Sequence, residues 1–136
     1  MIRLIVVCEG ETEQGFCENL LAPYLLGKGI CIECPTIKKT DGGICSWGAL
    51  KKQLIGHLNE NAYVTTLVDF YGIKDNLCFP GWEASKEITD KGERVAFLEQ
   101  EMKSDVDERY RPYFLPYMQL HEFESLLFRG VEAFEI

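Results

Sequence analysis

Four acidic residues carry the chemistry that this sequence could perform: Glu9, Asp69, Glu122 and Glu124. Glu9 follows the apolar run Ile2, Leu4, Ile5, Val6, Val7, Cys8. Asp69 closes Val64-Thr65-Thr66-Leu67-Val68, and Glu122 and Glu124 follow a run that ends near Gln119. If each run is a strand of one parallel sheet, all four carboxylates fall outside the carboxyl ends of strands, where open α/β sheets build their sites. Such an oxygen-rich rim suits Mg²⁺ or Mn²⁺. Mg²⁺ commonly takes one or two carboxylates and completes its shell with water and substrate phosphate. Two ions about 4 Å apart would stabilise the attacking and leaving oxygens of a phosphodiester cleavage. Carboxylates gathered in this way repel one another, so a bound cation should stabilise the fold.

Each residue also has a plainer reading. Glu9-Gly10 fits an ordinary strand-to-helix turn, and Glu11 and Glu13 suit the positive end of a helix dipole. Asp69 is harder to dismiss, because an unpaired carboxylate at the end of an apolar strand is costly. His121 precedes Glu122-Phe123-Glu124 and does not form HExxH, so the zinc-protease pattern fails on spacing. It could cap a helix, bond a neighbouring carboxylate, or act as general acid or base. Lys38 and Lys39 could touch substrate phosphates or simply decorate a solvated loop, and Arg94, Arg109 and Arg111 offer the same choice. Trp82 could stack on a base or plug its loop onto the core, the plug being preferred. The chain has no GxxxxGK[ST], GxGxxG or GxSxG pattern. The lone Cys31-Ile32-Glu33-Cys34 lacks the second ligand pair of a zinc site, and on a strand its thiols point to opposite faces.

Composition bounds these options. At 136 residues the chain suits one domain over 1–136. Lys and Arg number 14 against 22 Asp and Glu, a net charge of −8. That balance opposes a free-standing module holding nucleic acid through a bulk positive field, but not an enzyme that meets phosphates through metal ions. The longest uncharged apolar run is too short to cross a bilayer, and no signal peptide is visible, so a cytoplasmic protein with reduced thiols is expected.

The elements that must position the carboxylates alternate. A strand over 2–8 precedes a helix carrying Phe16, Cys17, Leu20, Leu21, Tyr24 and Leu25, with Thr12 as its N-cap and Pro23 kinking or splitting it. A second strand over 30–37 leads through a loop to a helix capped by Ser46, with Trp47, Leu50, Leu54 and Leu58 on its apolar stripe. A third strand over 63–70 and a long loop over 71–83 follow. A helix over 84–104, a short strand over 113–119 despite Pro116, and a helix over 121–128 complete the order. This alternation predicts an α/β domain with a mainly parallel four-stranded sheet and helices on both faces. The chain stops in mid-pattern at Val131 to Ile136. It reads either as a fragment lacking a C-terminal extension or as a short protein.

Four blocks carry a resemblance. Val7-Cys8-Glu9-Gly10-Glu11-Thr12-Glu13 is similar to the V-E-G-x-T-E opening of the domain-of-unknown-function family numbered 4276. Thr65 to Gly72 with Phe79-Pro80-Gly81 resembles its central motif. Arg94-Val95 and Glu99 fit its next helix, and Pro116 to Phe128 its last block. That family looks Toprim-like and related to nucleases of the overcoming-lysogenization-defect type. The resemblance implies a Toprim-like (Rossmann-like) three-layer sandwich that uses Mg²⁺ or Mn²⁺ for phosphoryl transfer on nucleic acid, DNA ahead of RNA. It also implies an ATPase partner and a role in defence against foreign DNA, and it is compatible with a homodimer. Glu9 matches the family's Glu after the first strand, and Asp69 the first Asp of a D-x-D after the third. Tyr71 stands where the second Asp should be, so Glu122, Glu124 or the more remote Asp75 would supply that ligand. The expected catalytic set is Glu9, Asp69 and His121. Glu9, Asp69, Glu122 and Glu124 are the expected metal ligands. Two rivals stand beside this reading: a non-catalytic Toprim-like module working with an ATPase, and a small-molecule phosphatase or phosphotransferase.

Overall fold

The computed structural model describes residues 1–37 and 44–120. Strand β1 (Ile2–Cys8) is central because its apolar residues alternate into two separate cores. Ile5 and Val7 point to one face, and Val6 and Cys8 to the other. A strand buried on both sides reads as a continuous apolar run. Strand β2 (Ile30–Glu33) pairs with one edge of β1 and β3 (Tyr63–Asp69) with the other, both in parallel. Beyond β3 lie β4 (Phe114–Leu115) and β5 (Met118–Gln119), each pairing β3 in parallel. The order is β2-β1-β3-β4, with β5 continuing along β3. The result is a three-layer α/β arrangement around a parallel sheet, as the alternation predicts.

The larger core lies beneath α3 (Trp47–Leu58) and α5 (Lys91–Asp105). Trp47, Leu50, Leu54 and Leu58 are the buried stripe of α3. Ser46 caps this helix by accepting the Ala49 N–H. Val95, Leu98 and Met102 form the buried spine of α5, which Asp90 caps through the Glu93 N–H.

The opposite face carries α1 (Glu11–Phe16), a π-helical turn over Cys17–Leu21, and α2 (Ala22–Leu26). Pro23 explains the turn. It has no N–H to offer a carbonyl one turn back. The Ala22 N–H instead reaches the Cys17 carbonyl across five residues, which widens the helix. The helix therefore continues through Pro23 with its register changed.

Several boundaries differ from expectation. The N-cap of α1 is Gly10, not Thr12. Strand β2 ends at Glu33, and beyond it only Thr36 bridges to Cys8. The helix expected over 84–104 is two helices, α4 (Trp82–Ser85) and α5, because Ile88, Thr89 and Asp90 interrupt the first and cap the second. Pro116 breaks the last strand into β4 and β5. Thr66 spans the break: its hydroxyl donates to the Tyr117 carbonyl at 2.7 Å and accepts the Tyr117 N–H at 2.9 Å. Glu99 from α5 accepts the Met118 N–H at 2.9 Å. No helix among the described residues is long and apolar enough to cross a membrane.

Candidate metal centre

Glu9 and Asp69 meet on the carboxyl rim of the sheet. The Glu9 N–H donates to the Leu67 carbonyl at 3.1 Å, which prolongs the β1–β3 ladder by one residue. Its side chain then turns across β3, and Oε1 lies 3.5 Å from the Asp69 backbone nitrogen. Both residues are half-buried. Asp69 ends β3 and caps the 3₁₀ turn Phe70–Gly72, its Oδ1 accepting the Tyr71 N–H at 3.0 Å. That bond meets part of the polar demand of a carboxylate at the end of an apolar strand, and it fixes the carboxylate's orientation. Gly72 closes the site from above: a Cβ there would lie 3.6 Å from Glu9 Oε1 and 4.0 Å from Asp69 Cβ.

The chemistry of this donor set fits a hard divalent cation. Two carboxylates from adjacent strand ends are a usual protein contribution to a Mg²⁺ site. Among the described residues no group of three or more His, Cys, Asp or Glu side chains gathers at one point. His121, Glu122, Glu124, Lys38 and Lys39 lie outside the described residues. Asp75, the more remote candidate, is not brought to the pair. Its carboxylate accepts the Trp82 Nε1–H at 2.7 Å and pairs with Lys86 at 3.0 Å. Those two bonds, Trp82 first, hold its carboxyl below the usual range.

Other candidates resolve as structure. Trp82 plugs its loop onto the core, with its ring 5.8 Å from that of Phe70. Arg94 is held there too, its guanidinium 4.6 Å from the Trp82 ring centre and 5.0 Å from that of Phe70, with Nε donating to Ser85. Arg111 ties down the end of α5 through the Val106 and Ser104 carbonyls. Cys31 is exposed and Cys34 buried, so CxxC does not present both thiols to one ion.

The chain matches the model of the family described as Domain of unknown function (DUF4276) over residues 8–135. It belongs to that family. The match takes in both Glu9 and Asp69. No curated protein and no solved structure matches the chain.

Two residues near this DUF4276 site escape a reading by motif. One is Gly72, which looks like any turn glycine in sequence. The other is Gln119, the register partner of Asp69 across β3 and β5, and only 4% exposed.

Proposed function

We propose that this chain is a Toprim-like, Mg²⁺- or Mn²⁺-dependent nuclease, or a related phosphoryl-transfer enzyme, acting on nucleic acid with DNA ahead of RNA. The observation that carries the reading is the approach of Glu9 to Asp69 at the carboxyl rim of a parallel sheet. The four resembling sequence blocks support it and extend it to a cytoplasmic role in defence against foreign DNA beside an ATPase partner.

Glu9 and Asp69 would hold the cation. When bound, the ion supplies Lewis acidity toward a phosphoryl oxygen and acidifies a bound water. The chain's own contribution is positional. The Tyr71 N–H fixes the Asp69 carboxylate. The Asp69 N–H and the close approach of Gly72 confine that of Glu9. Glu9 would also serve as general base, taking a proton from an attacking water.

Mn²⁺ titration by calorimetry on the unaltered chain and on Glu9→Gln tests the reading. Binding that Glu9→Gln abolishes is the expected result, followed by Mn²⁺-dependent cleavage of DNA or RNA that Asp69→Asn removes. Turnover of a nucleotide or aryl phosphate without polymer cleavage would make the site a small-molecule phosphatase. No binding in either protein would overturn the metal reading and leave a non-catalytic module that works with a partner.

A further inference from the structure

We propose that Gln119 is a ligand-contacting residue of the Glu9–Asp69 site, its amide N–H groups donating to an oxygen of the phosphate placed there. The inference rests on the metal-site reading above.

Its first basis is register. Val68 pairs with Met118 and Asp69 with Gln119 on neighbouring parallel strands. Register partners in a sheet leave it on the same face, and the face alternates with each residue. Val68 and Met118 share the larger core. Asp69 and Gln119 therefore both leave the sheet on the face that carries α1. Neighbouring strands are about 4.8 Å apart, so the Gln119 side chain starts one strand spacing from that of Asp69.

The second basis is burial with a fixed orientation. Gln119 is 4% exposed. The Tyr117 hydroxyl donates to its Oε1 at 2.6 Å. Tyr117 lies two residues earlier, on the same face and farther from the rim. Because the amide is planar, anchoring its oxygen also limits where its two N–H groups can lie. No buried polar side-chain atom among the described residues is left without a partner. The Tyr117 hydroxyl uses only the amide oxygen, so the two amide N–H groups remain as the donors assigned to the phosphate.

The third basis is charge. Two carboxylates and one divalent cation sum to zero, so the metal site alone offers a phosphate little net attraction. A third carboxylate at position 119 would make that worse. A neutral donor adds hydrogen bonds to the anion without repelling it, and bonds to charged acceptors are the strong ones.

The test uses Mn²⁺ and thymidine 5′-monophosphate as probes in calorimetry. Gln119→Met keeps the volume and removes the donors. It is expected to bind Mn²⁺ within about twofold of the unaltered chain and to lose ~10-fold in affinity for the nucleotide at saturating Mn²⁺. Gln119→Glu places a carboxylate beside Asp69 and is expected to tighten Mn²⁺ about tenfold while weakening the nucleotide. Tyr117→Phe, at a half-exposed position, keeps the test open if either variant fails to fold. Releasing the amide should cost ~3-fold in nucleotide affinity. Unchanged nucleotide affinity in Gln119→Met and Tyr117→Phe, with Mn²⁺ binding intact, would overturn this inference alone. Absence of Mn²⁺ binding in the unaltered chain would overturn it together with the metal site.

Discussion

Oε1 of Glu9 lies 3.5 Å from the backbone nitrogen of Asp69, across 60 residues of sequence. The contact is a product of topology. Parallel pairing puts Cys8 in register with Leu67, so Glu9, the residue after β1, comes within one residue of the level of Asp69 at the end of β3. In the absence of a cation these charges oppose one another, so saturating Mn²⁺ should raise the melting temperature. At one hundred times the dissociation constant the gain is about 2.7 kcal/mol. Glu9→Gln should melt higher than the unaltered chain without metal and show no shift when Mn²⁺ is added. A melting curve for each protein, with and without the ion, checks both halves. A shift that survives Glu9→Gln would place the cation elsewhere.

Gly72 stands against the same carboxylates, and its methyl-bearing variant separates site from fold. A Cβ there meets Glu9 Oε1 at ordinary contact distance, and the position has no left-handed backbone to strain. Gly72→Ala should fold normally yet crowd the water shell of a cation held by Glu9 and Asp69. Mn²⁺ affinity is expected to fall ~10-fold, as for other changes just outside a metal's ligands. Gly81 gives the contrasting case. Its φ is 74°, and a Cβ would lie 2.6 Å from Glu101 Cγ and 2.9 Å from Phe97 Cε1. Gly81→Ala should destabilise the chain by more than about 1 kcal/mol, read as a lower denaturant midpoint, without altering the metal affinity of the folded fraction.

How much of this was legible in the sequence depends on what each residue had to signal. Apolar runs ending at Cys8 and Val68 were enough to put Glu9 and Asp69 on one rim, because strand periodicity and parallel order together fix where a strand stops. The stripe of Trp47, Leu50, Leu54 and Leu58 with Ser46 as cap was equally plain, since helical spacing and a capping hydroxyl agree. Gln119 was not read, because its significance is its pairing with Asp69, and register between distant strands leaves no local mark. The split of the last strand was obscured by Pro116: only the structure shows Thr66 and Glu99 taking over the backbone bonds that Pro116 interrupts. The π turn at Cys17–Leu21 follows from Pro23, but sequence alone left a kink and a break equally open.

The thiols should divide by environment. Cys31 and Cys78 are exposed, whereas Cys8 and Cys17 are fully buried, their sulfurs 3.9 Å apart. A hydrogen bond with Cys34 favours the Cys17 thiolate. The bond with Cys8 and burial outweigh it and push the Cys17 thiol up to about 12. The bond with Cys17, then burial, pushes Cys34 up as well. At pH 8 a short iodoacetamide pulse on the native chain should alkylate Cys31 and Cys78 and spare Cys8 and Cys17, which react only after denaturation. Peptide mass spectrometry reads this directly. Rapid labelling of Cys17 in the native chain would show that the core beneath α1 opens readily.

Glu99 makes stability depend on pH in a defined direction. Burial raises its carboxyl above the ordinary range, and the Met118 N–H only partly offsets this. A carboxyl raised in the folded state contributes stability that is fully present below its unfolded pKa. That contribution is lost as pH rises through the folded value. Glu99→Gln keeps an acceptor for the Met118 N–H and removes the buried charge. It should therefore be more stable than the unaltered chain near neutral pH. The difference should vanish as pH falls below the ordinary carboxylate range, where both side chains are neutral. Urea melts at several pH values between 4 and 8 provide the comparison. A variant less stable than the parent near neutral pH, with the deficit vanishing in acid, would mean that ionised Glu99 binds Met118 more strongly than burial penalises it, and that the negative charge helps to close the break between β4 and β5.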